Sequence, residues 1–409
     1  MTSAPLFNPF DPAYQADPYP TFHRMRSAEP VHFSEMFQAW FLTRYRHVES
    51  AARDPRLSSA RRTSSFCRSQ FARAGLDLAS VEQFMTASDR KMDDLDPPDH
   101  DRIRKIGNPA FRPASLEVIR PRVEEAVDEL LSQAPKDGFD LVTTLARPLP
   151  WTVISEILGI PVADRGKLRS WAEAYGLMFA SPIEQLEVNG HAAEEAVRGY
   201  HGYFTAMLRE RQASPGDDLV SHLGRAARDG VMTEDECVAQ LMLLLGAGTI
   251  TVSDQINNGV HDLLTHPDAL ATLKERPDLV PTAVEEMLRH QTPIPFANRV
   301  ATEDFEIGGA RILKGHVVFL GLGAANRDPE VFPDPDRFDI TRKGASHLSF
   351  GYGAHFCIGA NLARIELGIL VRSLLERAPK IRLDPARAPE LSCESLMFRG
   401  FKSLPVLVS

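Results

Sequence analysis

The chain has 409 residues, 43% of them hydrophobic and 25% charged, the composition of a globular protein that buries a large core. Its 46 basic and 55 acidic residues leave a net charge of −9, which gives no reason to expect a nucleic-acid partner. The cysteines, Cys67, Cys237, Cys357 and Cys393, lie far apart with no Cys-x-x-Cys pair. They form neither a disulfide framework nor a zinc site, and they fit a reducing cytoplasm. The N-terminal stretch is polar and Pro-rich without a signal-peptide core, and no run approaches the roughly 18 consecutive apolar residues of a membrane span.

In chain order, Asp17-Pro18-Tyr19-Pro20 opens a short helix to Ala28. Val31–Phe33 and Ala39–Thr43 read as two strands, and Tyr45 to Asp54 as a helix stopped by Pro55. Ser58 to Asp89 has no regular pattern, so a long functional or flexible loop is expected there. A helix starting after Pro98 puts His100 and Arg104 on one face. Helical periodicity then continues through Leu116–Ala134, Leu145–Leu158, Arg165–Met178 and Glu187–Gln212, with a break at Ala180-Ser181-Pro182. No repeat or low-complexity linker divides the chain.

Thr233-Glu234-Asp235-Glu236 is a good helix start, a hydroxyl cap followed by acids. The helix runs to about Leu264, roughly 30 residues, which is unusually long for a globular protein. Its first half is apolar on most sides and should be buried. Gly246 and Gly248 near its middle point to a kink or to the close approach of something bulky. Further on, Glu286 and Arg289 stand three apart on another helix, and Asn298-Arg299-Val300 lies in a following strand.

The densest stretch is Phe350-Gly351-Tyr352-Gly353-Ala354-His355-Phe356-Cys357-Ile358-Gly359, followed by a helical run from Ala360 to Leu375. A Gly-rich loop that delivers one cysteine to a helix N-terminus presents a thiolate well, because unpaired N–H groups and the helix dipole favour negative charge there. This stretch resembles the haem-ligand loop of the cytochrome P450 family, with every fixed position of Phe-Gly-x-Gly-x-His-x-Cys-x-Gly filled. The resemblance extends in correct order from about Tyr19 to Val408.

That resemblance implies a mainly α fold with small β-sheets, one domain over residues 1–409 with 1–18 as an extended N-terminal segment. It implies haem b (iron protoporphyrin IX) between the long I-helix and the Cys-ligand loop with its L-helix. Cys357 would be the axial iron ligand, with Phe350, Gly351 and Gly359 shaping its loop. His100, Arg104, Arg299 and His355 would bind the propionates, and Glu286 with Arg289 would lock the core. Ala247, Gly248 and Thr251 would face the oxygen side. Leu243, Gly246, Ile294, Phe296, Ala297, Leu396, Met397 and Phe398 would line the substrate pocket, covered by the Ser58–Asp89 loop and a lid around residues 180–182.

One position departs from the family pattern. The acid expected before Thr251 is Ile250, which cannot carry a proton, whereas Asp254 and Gln255 lie one turn further on and, with a bound water, are the candidates to replace it. The implied reaction is insertion of one oxygen atom from O2 into a small or medium apolar substrate, free or tethered to a carrier protein, in secondary metabolism. Electrons would come from a ferredoxin or flavodoxin with its NAD(P)H reductase, docking on Arg102, Arg112, Lys343 and Arg364. The Ile250 substitution keeps open a second reading: oxidative coupling, desaturation or peroxide-driven chemistry. A haem sensor or inactive scaffold is the third.

Overall fold

The computed structural model describes residues 6–60, 62–75, 77–178, 183–216, 218–392 and 397–409. The chain begins with α1 (Pro12–Ala16), α2 (Tyr19–Ala28), β1 (Val31–Ser34), β2 (Ala39–Leu42), α3 (Tyr45–Arg53) and β3 (Leu57–Ser58). Next come α4 (Arg62–Ala74), α5 (Glu82–Ser88), α6 (Asp99–Gly107), α7 (Pro113–Leu116), α8 (Arg120–Gln133) and β4 (Gly138–Asp140). The long central helices are α9 (Pro148–Ile157), α10 (Arg165–Leu177), α11 (Leu186–Ala213), α12 (Leu219–Arg228) and α13 (Glu234–Thr265). After α14 (Pro267–Glu275) and α15 (Val280–His290) the chain forms β5 (Phe296–Ala301), β6 (Phe305–Ile307), β7 (Ala310–Ile312) and β8 (Val317–Gly321). It closes with α16 (Leu322–Ala325), α17 (Ala360–Arg377), β9 (Arg382–Leu383), β10 (Glu390–Ser392), β11 (Gly400–Ser403) and β12 (Pro405–Leu407).

Contacts group these elements into two compact units. The first comprises residues 1–58, 123–149 and 251–409. Its main sheet has the order β1-β2-β8-β5-β3, with β2 and β8 parallel and the other pairs antiparallel. A second sheet has the order β4-β12-β9. Alternation along these strands feeds two hydrophobic clusters, one around Leu42, Val48, Val318 and Leu320 and the other around Phe7, Phe22, Phe41 and Phe296. The N-terminal segment, expected to be extended, carries α1, whose first turn is capped by Asp11 accepting from the Ala13 N–H at 2.9 Å.

The second unit comprises residues 59–122 and 150–250 and is helical. Its largest departure from expectation is the segment after Ser58, which holds α4 and α5. The ordering comes from buried charge. Arg62 at the start of α4 bonds Asp93 at 2.7 Å and Asp94 at 3.0 Å, and Asp94 also accepts from the Thr63 N–H. Lys91, itself buried, lies 3.4 Å from Asp94. Glu194 of α11 caps α5 by accepting from the Phe84 N–H at 2.8 Å. These partners are far apart in sequence, so no local periodicity announces them. The expected break at 180–182 falls on residues outside the described ones, with α10 ending before it and α11 beginning after it.

Candidate active site

The Cys loop is held from three sides. Asn326 accepts from the Leu348 N–H at 2.6 Å and donates to the Ser349 hydroxyl at 2.7 Å, while that hydroxyl donates to the Leu288 carbonyl of α15. Arg364 of α17 lies over the Phe350 ring at 4.6 Å and grips Glu285 of α15 at 2.6 and 3.0 Å. Burial works against the Glu285 carboxylate, but hydrogen bonds from His347 and Arg364 outweigh it and hold the group at about 2.

Inside that frame the loop turns through Gly351 and Gly353, both with positive φ, +69° and +75°. A Cβ at Gly353 would also lie 2.7 Å from the Ala52 carbonyl, so a side chain there is excluded twice over. The Cys357 N–H donates to the Phe350 carbonyl at 2.8 Å, and α17 begins three residues later with Gly359 as its N-cap. The result is an exposed Cys357 thiol on a rigid support, whereas Cys67 and Cys237 are buried. Burial pushes both of those thiols up to about 12, so they stay protonated and inert. His355 sits half-buried in the single turn before the cysteine.

The cations expected to hold carboxylates are placed on regular elements. Arg299 on β5 is 6% exposed and donates to the Asn298 carbonyl at 2.7 Å. His100 and Arg104 share one face of α6, with His100 buried and its Nδ1 2.8 Å from Asp101. Glu286 and Arg289, each 2% exposed, form a bidentate pair with both N–O distances 2.7 Å. Arg289 also donates to the carbonyls of Asn326, Pro335 and Arg337, and Arg342 closes on Glu286. Each nitrogen of Arg289 is thus taken up by a carboxylate or a carbonyl.

The long helix starts with a reciprocal capping box: Glu236 N–H to the Thr233 hydroxyl at 3.1 Å, and Thr233 N–H to the Glu236 carboxylate at 2.8 Å. It then runs unbroken for 32 residues through both glycines. A Cβ at Gly248 would meet Ile154 of α9 at 3.3 Å, so the close approach anticipated there is a side chain of α9. Gly246 faces open space. In the middle of this helix Ala247 is exposed and Leu243, Gly246, Gly248, Thr249, Ile250 and Thr251 are half-buried, so accessibility is concentrated over one and a half turns at residues 246–251. Thr249 bonds back to the Leu245 and Gly246 carbonyls at 3.0 Å. Ile250 points its Cδ1 toward Gly176 of α10, 3.7 Å from where a Cβ would stand, so this position packs and does not titrate.

Asp254, one turn beyond, meets β11 at Gly400, where any side chain would collide with its carboxyl. Burial raises this carboxyl to about 7, against the opposing pull of Arg147. Gln255 is 2% exposed, and neither of its amide atoms has a hydrogen-bond partner among the described residues.

The expected substrate-facing residues divide. Ile294 and Ala297 are half-buried beside the main sheet, and Met397 and Phe398 are half-buried before β11. Leu396 lies outside the described residues. Phe296 requires correction: its ring is packed at 5.4–6.0 Å from Phe7, Phe22 and Phe41, in the aromatic core and not on a pocket wall. Adjacent strand residues face opposite ways, so Phe296 and Ala297 could not both line one surface. The proposed basic docking set also changes, since Arg102 is engaged by Glu236 and Asp99 and Arg364 by Glu285, leaving Arg112 and Lys343 as exposed cations.

Two residues went unnoticed in the sequence. Arg399 ties the C-terminal hairpin down by donating to the Gln15 and Ala16 carbonyls at 2.8 Å, while its own carbonyl accepts from Asn258 at 2.9 Å. Glu366 on α17 is 1% exposed, its Oε2 has no partner among the described residues, and burial raises its pKa well above the ordinary value. A single acid in an apolar helical stripe was the only available signal.

The donor set of the first unit suits iron protoporphyrin IX: one accessible soft sulfur on a glycine-shaped loop, and on β5 a guanidinium of the kind that binds carboxylates. The family model for cytochrome P450 matches residues 68–397. Cytochrome P450 monooxygenase PikC of Streptomyces venezuelae is 38% identical, covering 96% of this chain and 91% of that protein. The polyketide biosynthesis cytochrome P450 PksS of Bacillus subtilis (strain 168) is 34% identical over 99% of both chains. The crystal structure of P450BioI in complex with hexadec-9Z-enoic acid ligated acyl carrier protein is similar with a TM-score of 0.87 and 32% identity, covering 97% of this chain and all of that one. The chain therefore belongs to the cytochrome P450 family and is a haem b monooxygenase.

Proposed function

We propose that this enzyme inserts one oxygen atom from O2 into a small or medium apolar intermediate of secondary metabolism, presented free or on a carrier protein. The exposed Cys357 thiol on its braced loop carries this reading. PikC and PksS, named for a monooxygenase and for polyketide biosynthesis, support the metabolic setting, and the P450BioI complex supports a carrier-borne substrate. The whole chain acts as one catalytic domain in the cytoplasm, with electrons from a separate ferredoxin or flavodoxin and its reductase. Only α13, among the described residues, is long and apolar enough to cross a membrane, and 56% of its apolar window is buried within the protein.

Bound haem supplies oxygen activation through its thiolate-ligated iron. The chain's own residues do the rest. Cys357 ligates the iron, Phe350, Gly351 and Gly359 shape the loop, and His100, Arg104, Arg299 and His355 hold the propionates. Ala247 keeps the accessible middle of α13 free of bulk, and Gly248 makes room there for Ile154. Thr251 presents a hydroxyl for proton delivery, and Asp254 takes the place of the acid that Ile250 lacks. Leu243, Gly246, Ile294, Ala297, Met397 and Phe398 contact substrate.

A second reading, oxidation without oxygen insertion, is favoured by the one observation that Ile250 packs toward Gly176. Reduced holoenzyme under carbon monoxide should show the red-shifted Soret band of thiolate ligation, lost in Cys357→Ser. A normal band in that variant would remove Cys357 from the iron and overturn the proposal.

A further inference from the structure

Of the first unit's residues assigned above to substrate contact, Ile294 stands just before β5, Ala297 within it, and Met397 and Phe398 just before β11. Arg399 joins these two stretches. Its backbone N–H donates at 2.9 Å to the carbonyl of Pro293, the residue before Ile294. Its own carbonyl accepts from the Asn258 amide of α13 at 2.9 Å. The next residue, Gly400, lies against Asp254 of the same helix, where no side chain fits. These contacts fix the main chain at Arg399, and with it the point from which Phe398 departs.

The side chain makes a different connection. Its Nη1 donates to the Gln15 carbonyl and its Nη2 to the Ala16 carbonyl, both at 2.8 Å. Gln15 and Ala16 are the last two residues of α1, and a helix leaves its final carbonyls without a donor of its own. A cation there also meets the negative end of the helix dipole. The planar guanidinium spans two neighbouring carbonyls in one fixed geometry, which a lysine ammonium on its flexible stem does not. The helix α1 is in turn fixed to the core, since the buried Tyr14 ring packs edge-on to Phe7 and Phe22 at 5.4 and 5.9 Å. Phe7 and Phe22 also pack on Phe296, at 6.0 and 5.5 Å, on the face of β5 opposite to Ala297. One aromatic cluster therefore carries both the strand that bears Ala297 and, through α1 and Arg399, the stretch that bears Met397 and Phe398.

We infer that Arg399 is a positioning residue for substrate: it holds Met397 and Phe398 at a set place relative to Ile294 and takes that place from α1, so that the N-terminal segment governs which ligands the site accepts. The inference rests on the reading that Met397 and Phe398 contact substrate. No bond is made or broken at Arg399, and its effect falls on ligand choice and not on the chemical step. Two kinds of connection meet at this residue, and they can be separated. Removing the guanidinium leaves the main-chain bonds to Pro293 and Asn258 in place and cuts only the link to α1. The hairpin then stays attached but loses the reference that fixes its substrate-facing end.

The test uses ferric holoenzyme and two probes that ligate the iron through a ring nitrogen, imidazole and 4-phenylimidazole, each titrated by its Soret shift. Imidazole reports the iron and its loop, and the added phenyl ring reports the walls. In Arg399→Ala the imidazole Kd should stay within about twofold of the parent while the 4-phenylimidazole Kd rises about fivefold or more. Arg399→Lys keeps the charge and should fall between the two, and it carries the measurement if the alanine variant loses haem. Tyr14→Ala loosens α1 without touching the hairpin and should reproduce the rise, and the Tyr14→Ala/Arg399→Ala double variant should show no more than either alone. An unchanged ratio of the two constants in folded Arg399 variants, an equal weakening of both probes, or a rise that Tyr14→Ala does not share would overturn the positioning role. The Met397→Ala/Phe398→Ala double variant should also raise the 4-phenylimidazole Kd. No change there would instead remove the hairpin from substrate contact, the reading on which the inference rests.

Discussion

Glu286 and Arg289 on α15 and Gln255 and Asn257 on α13 are all buried polar residues of the same unit, but they are treated in opposite ways. Around Arg289 each nitrogen meets a carboxylate or a carbonyl, and Glu286 also accepts from Arg342 and the Asp339 N–H. On α13 the Gln255 and Asn257 carboxamides have no hydrogen-bond partners among the described residues. A network with all its bonds made is rigid and has no capacity for chemistry. One with bonds to spare keeps donors and acceptors for another group to meet. The enzyme keeps the first kind where the Cys loop must be braced and the second kind next to Thr251.

Breaking the paired region should have the largest effect. Arg289→Ala leaves Glu286 buried with only Arg342 and the Asp339 N–H to meet it, which costs about 3 kcal/mol and should show in denaturant melts as a large loss of stability and of bound haem. Asp254→Asn should leave folding intact but lower product formed per electron consumed by about tenfold or more, read as excess peroxide and water. Adding Ile250→Asp to that variant should recover part of the coupling, since it restores an acid one turn nearer the start of the helix.

Acidity sharpens the same contrast. The Asp254 pKa is raised to about 7, so the neutral, proton-donating form prevails below that value and is lost as pH rises through it. Coupling should therefore fall between about pH 6 and 8 in the parent and be flat over that range in Asp254→Asn. The lock predicts no such dependence. Smallest of all, Gln255→Leu should change stability by no more than about 1 kcal/mol, because no protein partner is stranded when the amide is removed.

How much of this was legible in the sequence follows from how local each signal is. The capping box at Thr233–Glu236, the positive-φ glycines around Tyr352 and the Glu286–Arg289 pair are written within a few residues, and each was found where its spacing placed it. Phe296 was misplaced because its role depends on which face of β5 turns toward Phe22 and Phe41, and alternation alone does not choose the face. The helices α4 and α5 were missed because Arg62, Asp94 and Glu194 hold them across long separations. Asp254 could be nominated from helical spacing, but only its burial, with Gly400 against its carboxyl, explains why its pKa is raised to about 7.

The central claim is most directly tested by isotope. A substrate identified by its low-to-high-spin Soret shift should be turned over by the parent enzyme under labelled O2, with an external ferredoxin and reductase as electron source. The account predicts one labelled oxygen atom in the product. Product formed at a comparable rate without label would contradict insertion of oxygen from O2 and assign the enzyme to coupling, desaturation or peroxide-driven chemistry.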